Sequence, residues 1–370
     1  MNYKIYNNDC LKQLEDLEEN SIDSIVTDPP YELNFMGKGW DNAGISFNKE
    51  TWEKCLKVLK PGGYLLAFGG SRTYHRIAVA IEDAGFEIRD TIMWLYGSGF
   101  PKSQNIGLMI DKRNGIDNRT GNIKEGMGSN NTESMNNHKY ETQNYKKQYE
   151  EREATNKWKG WGTCLKPSFE PIIIARKPFK GSLVDNVIEN GVGGINIDEC
   201  RVGSEVITQT IGRFPANTIL TYDETDFDEV CGGFPNTKSN GSASRYFYCT
   251  KASKKDRDEG LEEFEQQKVN DGRKKDIDNA FQRGTTLRHN IHPTVKPTEL
   301  MQYLVRLVTP KDGTILDPFM GSGSTGKAVM YENKERNANY KFIGIEREKE
   351  YCDIAEARIK WASKFEEKQK

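Results

Sequence analysis

Apolar positions along the first hundred residues follow two periods that alternate. Short apolar runs typical of strands come between segments with the 3.6-residue period of amphipathic helices. The strand-like runs are YKIYNND, DSIVTD, YLLAFGG and TIMWLYG, and the helical segments surround CLKQLEDL, TWEKCLKVLK and RIAVAIEDAG. This alternation predicts a parallel sheet covered by helices, which is an α/β fold.

The same alternation returns at the end of the chain after a long polar interval. Residues 104 to 160 are rich in Asn, Gly, Lys and Glu and nearly free of aliphatic side chains, which predicts a polar insertion. Residues 181 to 290 mix short strand candidates, glycines and basic stretches, which predicts a smaller, separate module. We therefore divide the chain into residues 1 to 180, 181 to 290 and 291 to 370, and expect the first and last parts to build one sheet.

Composition limits the partners and the compartment. The 370 residues carry a net charge of -2, so any contact with nucleic acid rests on local basic patches and not on the whole surface. Seven cysteines form no C-x-x-C pair and accompany only four histidines, so we expect no metal site and no disulfide framework. No signal-peptide pattern and no membrane-length apolar run is present, and we expect a cytoplasmic protein that does not bind membranes.

The sequence DPPY follows the apolar run that ends at Thr27 and supplies an unusual group of acceptors. Asp28 stands at the carboxyl end of the predicted strand. Pro29 and Pro30 have no N–H and hold a rigid loop that offers carbonyl oxygens, and Tyr31 adds an aromatic face. Together they make a slot for a flat group that bears an NH₂. An ordinary proline turn with a capping aspartate is the alternative.

A glycine loop near the end of the chain indicates an adenosine-containing cofactor. Gly321, Gly323 and Gly326 have G-x-G-x-x-G spacing between a predicted strand and a predicted helix. A P-loop would need Ser or Thr where Ala328 stands, and a pyrophosphate would be repelled by Asp317. S-adenosylmethionine carries an ammonium and a sulfonium and has no phosphate, so it suits this loop best.

One further carboxylate supports an adenosine site. Glu346 ends the strand-like run KFIGIE, about 20 residues after the glycines, which is the spacing of an acid that binds ribose hydroxyls. A solvated helix cap is the alternative for this glutamate.

Three motifs in a fixed order carry a family resemblance. They are DPPY at residues 28 to 31, HPTVKP at residues 292 to 297 and DPFMGSGSTG at residues 317 to 326. The chain resembles the β class of amino-group DNA methyltransferases, in which the catalytic motif comes first and the cofactor loop last. The fragments GWGTCLKPSFEPIIIARKP and GRFPANTI are also similar to methylases of phages and prophages.

The resemblance implies a Rossmann-like methyltransferase fold with a mostly parallel, seven-stranded sheet and one reversed strand. A target-recognition region would occupy residues 181 to 290, between the catalytic part and the cofactor-binding part. S-adenosylmethionine would bind at the carboxyl ends of the strands. The cofactor-binding residues that the resemblance implies are Asp9, Cys10, Asp28, Thr294, Lys296, Asp317, Phe319, Gly321, Ser322, Gly323 and Glu346.

These residues would divide the cofactor between them. Asp9 and Cys10 would contact its adenine ring and Glu346 its ribose, while the residues from Asp317 to Gly323 would line its methionine side. Thr294 and Lys296 would lie near its carboxylate, although an ordinary surface lysine is an open alternative for Lys296. We interpret His292 as a packed or solvent-facing side chain.

The resemblance also implies the reaction, which is methylation of the exocyclic N6 of adenine in double-stranded DNA. Asp28 and the Pro29 carbonyl would accept both amino hydrogens, Pro30 would keep the loop rigid, and Tyr31 would stack on the flipped base. Transfer would be a direct displacement, in line with the absence of the P-C dipeptide of C5-cytosine enzymes. N4-cytosine methylation, RNA methylation and an inactive DNA-binding homologue are the alternatives.

The inserted regions are the predicted DNA contacts. Residues 104 to 160 and 181 to 290 supply lysine, arginine, asparagine and glutamine for phosphates and base edges. The sequence leaves open a homodimer and a cognate restriction endonuclease as further partners.

Overall fold

The computed structural model describes residues 2–33, 41, 43–96, 103–116, 153–207, 210–221, 247–268 and 287–364. Two compact units divide the chain, one formed by Met1–Gly97 with Ser168–Lys370 and the other by Ser98–Pro167. The first unit contains the sheet and all the residues of the predicted site.

Helices and strands alternate along the first unit. The strands are β1 (Tyr3–Asn7), β2 (Ile22–Thr27), β3 (Leu59–Phe68), β4 (Glu87–Tyr96), β5 (Phe169–Arg176), β6 (Val202–Ile207), β7 (Thr210–Arg213), β8 (Thr218–Thr221), β9 (Phe247–Tyr248), β10 (Gln267–Lys268), β11 (Leu287–Arg288), β12 (Thr314–Asp317) and β13 (Lys341–Glu346). The helices are α1 (Cys10–Glu15), α2 (Lys49–Val58), α3 (Tyr74–Asp83), α4 (Ile106–Arg113, in the second unit), α5 (Leu183–Asn190), α6 (Lys254–Asp258), α7 (Thr298–Val308), α8 (Ser324–Glu335) and α9 (Lys349–Lys364).

One large sheet is built from both ends of the chain. Its strand order is β1-β13-β12-β2-β3-β5-β4-β8-β9. Every neighbouring pair is parallel except β3 with β5 and β4 with β5, so β5 alone is reversed. Two short antiparallel pairs, β6 with β7 and β10 with β11, lie outside this sheet.

The central strands are buried on both faces, as a parallel sheet between two helical layers requires. Along β3, Leu65 and Ala67 pack into a cluster with α1, α2 and α3. Leu66 and Phe68 pack into a second cluster with α7, α8 and α9. Successive side chains of a strand point to opposite faces, so one short apolar run serves both cores.

The predicted α/β fold with a mostly parallel sheet and one reversed strand is confirmed. The predicted count of seven strands is wrong, because β8 and β9 hydrogen-bond in sequence beyond β4 and widen the sheet to nine strands in the described residues. Both strands come from residues 181 to 290, the segment predicted as a separate module. The division of the chain at 181 and 290 stays a prediction.

The second unit is small in its described part. Asp111 of α4 is buried and accepts hydrogen bonds from the Thr155 amide at 2.8 Å and from Asn156 Nδ2 at 2.6 Å. These contacts join the two ends of the polar insertion predicted at 104 to 160. Residues 117–152 of that insertion lie outside the described residues.

Within the described ranges, no helix has both the length and the apolar character needed to cross a bilayer.

Gly326 provides a test of how closely α8 packs on the sheet. A Cβ at this position would lie 2.4 Å from Ile359 Cδ1 and 2.6 Å from Phe342 Cε1. Gly326→Val should therefore lower the free energy of unfolding in urea by about 2 kcal/mol or more through overpacking. Gly194→Val is the control, because no atom lies within 4 Å of its added Cβ. Equal losses in the two variants would contradict this packing.

Candidate active site

The predicted site residues come together because they follow neighbouring parallel strands. Register pairs Asn7 of β1 with Glu346 of β13, and Asp317 of β12 with Gly344 of β13. Strand β2, which ends one residue before Asp28, lies directly beside β12. Parallel strands place their carboxyl ends at one edge of a sheet, where α/β proteins bind ligands. The structure therefore assembles one acidic edge from both ends of the chain.

Asp28 is held by a lysine from the HPTVKP segment. Lys296 Nζ donates to Asp28 Oδ2 at 2.5 Å and lies 3.4 Å from Glu170 Oε2. The same Glu170 oxygen accepts a hydrogen bond from the Tyr31 hydroxyl at 2.8 Å. Asp28, Tyr31, Glu170 and Lys296 thus form one continuous group, which we call the Asp28 cluster.

The second oxygen of Asp28 is left open. Asp28 Oδ1 is buried and has no hydrogen-bond partner among the residues that the structure describes. Native proteins pair nearly all buried polar atoms, so this oxygen is an acceptor whose donor the described residues do not supply. Burial raises the pKa of Asp28, Lys296 lowers it and Glu170 raises it, and the net pKa lies above its usual value.

Lys296 lies near the carboxylates of Asp28 and Glu170, and its place near the carboxylate of the cofactor stays a prediction. Burial lowers the pKa of its ammonium, but Asp28 and Glu170 outweigh burial and raise the net pKa. Lys296 is therefore cationic at neutral pH and is paired with carboxylates of the chain itself. It is also buried, which disagrees with the alternative of an ordinary surface lysine. Thr294 is exposed, and its carbonyl accepts a hydrogen bond from His292 Nδ1 at 2.8 Å.

The loop after the two prolines is fixed by an unusual backbone. Glu32 has a φ of 55°, a left-handed conformation that costs energy for a residue with a side chain. The buried Asp41 accepts the Glu32 amide at 2.9 Å, and the Glu32 carboxylate accepts the Gly44 amide at 2.7 Å. On the other side, a Cβ at Gly70 would lie 3.1 Å from the Tyr31 ring. The position of Tyr31 thus depends on contacts that the DPPY motif does not contain.

Asp317 ties the cofactor loop to the catalytic strand. Its Oδ1 accepts from the Thr27 hydroxyl at 2.7 Å and from the Phe319 amide at 3.1 Å, and its Oδ2 accepts from the Thr325 hydroxyl at 2.6 Å. Burial raises the pKa of Asp317 to about 6, against these hydrogen bonds, which lower it. Both oxygens already have donors, so Asp317 holds β12, β2 and the start of α8 together.

Glu346 holds the backbone of the glycine loop. Its Oε2 accepts the Gly321 amide at 2.9 Å and its Oε1 accepts the Glu348 amide at 2.8 Å. Gly321 and Gly323 have φ values of 54° and 76°, which favour glycine. A Cβ at Gly321 would lie 2.9 Å from His292 Nε2. The loop therefore needs glycine both for its backbone conformation and for its packing against the HPTVKP segment.

His292 is a packed histidine. Burial lowers the pKa of its ring to about 3, so it is neutral at physiological pH. The ring contacts Tyr351 edge to face, with the ring centroids 4.6 Å apart. This placement agrees with the interpretation of His292 as a packed side chain.

The remaining predicted cofactor residues also lie at this edge. Asp9 caps α1 and accepts the Leu11 amide at 2.9 Å. Cys10 is buried, and burial, with the nearby Asp9 carboxylate, raises the pKa of its thiol to about 12. Phe319 lies against Trp52, with ring centroids 6.3 Å apart. Ser322 is buried, and its carbonyl accepts a hydrogen bond from Arg358 Nη1 at 2.6 Å.

The position of Lys327 argues against a P-loop at this glycine loop. It is fully buried, and its Nζ lies 2.8 Å from both Asp256 Oδ1 and Glu259 Oε2. An ammonium held by two carboxylates inside the protein is not available to phosphates. The lysine of the P-loop-like sequence therefore forms buried ion pairs and does not serve a phosphate site.

The sequence reasoning missed Glu170, the member of the cluster that contacts both Tyr31 and Lys296. One signal in the sequence is that Glu170 is a charged residue directly before the apolar run 171–175 of β5. The sequence does not reveal its partners, because Tyr31 lies more than a hundred residues before it and Lys296 more than a hundred residues after it.

Comparison with known proteins adds independent findings. A family model described as DNA methylase, of the N6/N4 methyltransferase type, matches residues 22–357. The Type II methyltransferase M.HindIII of Haemophilus influenzae is 24% identical over 397 aligned positions, which cover 96% of this chain and 94% of that protein. The Type II methyltransferase M.HpaI of Haemophilus parainfluenzae is 37% identical over 111 residues, 28% of this chain and 35% of that protein.

Two solved structures are similar over nearly the full length. The complex of M1.HpyAVI with SAM has a TM-score of 0.43 and 19% identity, with 96% of this chain and 98% of that chain covered. The cytosine-N4-specific PvuII DNA methyltransferase has a TM-score of 0.47 and 15% identity, with 100% and 89% covered.

Asp317 should make stability depend on pH in a defined direction. Its pKa is about 6 in the folded chain and about 3.9 when unfolded, so the folded state binds the proton more tightly. The stabilisation is complete below about pH 4 and is lost as the pH rises through about 6, a change of roughly 3 kcal/mol. Urea unfolding between pH 4 and 7 should show a larger fall in the wild type than in Asp317→Asn, in which the raised pKa of Asp28 still contributes. Parallel pH curves for the two proteins would contradict the assignment.

Proposed function

Because the chain belongs to the N6/N4 DNA methylase family, we propose that it methylates the exocyclic N6 of adenine in DNA. The family assignment itself makes the chain a DNA methyltransferase whose methyl donor is S-adenosylmethionine. The choice of adenine N6, the residues that carry the reaction and those that hold the cofactor are parts of the proposal.

The buried, unpartnered Oδ1 of Asp28 carries the proposal. An exocyclic amino group has two N–H donors, and an acceptor in this position matches one of them. The Pro29 carbonyl is the natural second acceptor, because two prolines in succession offer no competing N–H. Tyr31 is the flat partner on which the base would stack after it leaves the duplex.

Asp28 would perform two tasks, the first of them together with the Pro29 carbonyl. Asp28 Oδ1 and the Pro29 carbonyl would accept both amino hydrogens and turn the nitrogen lone pair out of the plane of the base. S-adenosylmethionine, when bound, supplies an electrophilic methyl group. The methylated nitrogen then carries an extra proton, which Asp28 would accept and pass to water. A carboxylate with a raised pKa suits this last step.

The strand-end carboxylates fit the proposed cofactor. S-adenosylmethionine presents cationic groups and ribose hydroxyls, which are partners for Asp9, Asp28 and Glu346 at the acidic edge. Its lack of phosphate agrees with the burial of Lys327 between Asp256 and Glu259. We propose that the adenine ring lies near Asp9 and Cys10, and that the methionine part lies along residues 317 to 323 with its carboxylate near Thr294.

Adenine N6 is preferred to cytosine N4 because residue 28 is an aspartate, where cytosine enzymes of the β class more often carry serine. N4-cytosine methylation is the second candidate, since the Asp28 cluster would also accept the amino group of cytosine. The segments proposed to contact double-stranded DNA are 104 to 160 and 181 to 290, of which residues 117–152, 208–209, 222–246 and 269–286 lie outside the described residues. A phage origin, a homodimer, a cognate endonuclease and a cytoplasmic location stay predictions.

Analysis of methylated nucleosides separates the candidates. Purified protein is incubated with unmethylated DNA and isotope-labelled S-adenosylmethionine, and the DNA is digested to nucleosides for mass spectrometry. We expect labelled N6-methyldeoxyadenosine. Labelled N4-methyldeoxycytidine would keep the mechanism and overturn the base assignment, and label in added RNA alone would overturn DNA as the substrate.

Asp28→Ala should abolish methylation while the cofactor still binds. Loss of the acceptor should reduce kcat by at least about 100-fold, the scale of removing one preorganised polar contact from an active site. Isothermal titration should still show binding of S-adenosylmethionine, because Asp9, Glu346 and residues 317 to 323 remain. Asp90→Ala is the matched control, because Asp90 is an exposed aspartate on β4. Turnover by Asp28→Ala at the rate of the control would contradict the mechanism.

A further inference from the structure

Glu170 connects the catalytic loop to the HPTVKP segment. It is the second residue of β5, the reversed strand, and pairs in register with Trp94 of β4. Its Oε2 accepts the Tyr31 hydroxyl at 2.8 Å and lies 3.4 Å from Lys296 Nζ. Because β5 lies inside the sheet, between β3 and β4, Glu170 gives these two side chains a partner on a fixed strand.

We propose that Glu170 is a positioning residue for methyl transfer, which holds Lys296 on Asp28 Oδ2 and Tyr31 beside it so that Asp28 presents only Oδ1. This role rests on the proposed function. It adds to that function a residue outside the three motifs, and it assigns the two oxygens of Asp28 different tasks.

The contacts of Lys296 show why the geometry is fixed. Its Nζ lies 2.5 Å from Asp28 Oδ2, 4.8 Å from the centre of the Phe68 ring and 5.3 Å from the centre of the Tyr31 ring. An ammonium enclosed by two carboxylates and two aromatic faces has little freedom. Asp28 cannot rotate without breaking its bond to Lys296, so Oδ1 keeps one direction. Such preorganisation is worth large factors in rate, because small misplacements of a reacting group slow transfer.

The net charge of the Asp28 cluster is a second reason to assign Glu170 a role in methyl transfer. The two carboxylates and one ammonium of the Asp28 cluster leave one net negative charge beside the reacting nitrogen. That nitrogen becomes positive as the methyl group arrives, and a preorganised negative charge stabilises it in the transition state. Without the charge of Glu170 the group would be neutral.

The direction of a pH effect follows from the groups around Asp28. Burial is the largest cause that raises the pKa of Asp28; Lys296 and Tyr31 lower this pKa, and Glu170 raises it. Asp317 also faces Asp28, and Tyr96 of β4 faces Glu170. Removing the charge of Glu170 should lower the pKa of Asp28. On the acidic side of the pH profile, kcat should fall as Asp28 becomes protonated. This acidic limb should therefore move to lower pH when the charge of Glu170 is removed.

Three variants test this role in the full-length protein. Glu170→Gln should lower kcat about 100-fold, leave the KM for DNA near the wild-type value and move the acidic limb to lower pH. Glu170→Asp keeps the charge but shortens the side chain, so it should lower kcat without moving the limb. Glu87→Gln is the matched control, because Glu87 pairs with Arg176 at the opposite ends of the same two strands. It should behave like the wild type.

Thermal melting and the cofactor dissociation constant are measured for every variant to separate positioning from folding. If Glu170→Gln does not fold, Glu170→Asp decides, and wild-type kcat in that variant would overturn the role. Wild-type kcat and an unmoved acidic limb in folded Glu170→Gln would also overturn the role and leave the proposed function intact. A wild-type protein that methylates no nucleoside would instead overturn the proposed function, and the role of Glu170 with it.

Discussion

The ion pair between Lys296 and Asp28 is the contact on which the site depends. It joins residues 268 positions apart in the chain, at the carboxyl edge of the sheet. Bringing two charges into this partly buried place costs solvation free energy, which their attraction offsets only when the geometry is good and further partners are present. Glu170 and the aromatic rings of Tyr31 and Phe68 supply those partners. The result is a carboxylate with one oxygen held by Lys296 and the other without a partner in the described residues.

Strand order explains how distant motifs reach one place. The C-terminal strands β12 and β13 enter the sheet between β1 and β2, which come from the N-terminus. The hydrogen bonds of Asp317 to Thr27 and of Glu346 to Gly321 then lock neighbouring strand ends and loops to each other. The catalytic loop and the glycine loop are thus one structural unit, although almost 300 residues separate them.

A second buried network, made of ion pairs and hydrogen bonds, fixes the glycine loop and the helix that follows it. Lys327 is held by Asp256 and Glu259, and Arg358 of α9 donates to both the Ser322 carbonyl and the Asp256 carbonyl. These bonds use the positive charges near the loop to fix the segment around α6 against α8 and α9. Lys327, which gives the sequence its likeness to a P-loop, therefore acts in packing.

The sequence by itself determined the elements and the chemistry of the strand ends. Period and turn residues predicted the parallel sheet, and DPPY and the glycine spacing predicted an acceptor slot and a cofactor loop, because these depend on local backbone preferences. Tertiary structure alone decided that Lys296 binds Asp28, that Glu170 joins the cluster, and that β8 and β9 widen the sheet. Contacts of this kind depend on which distant segments pack together. The position of a residue in the sequence does not show which residue it will contact in the folded chain.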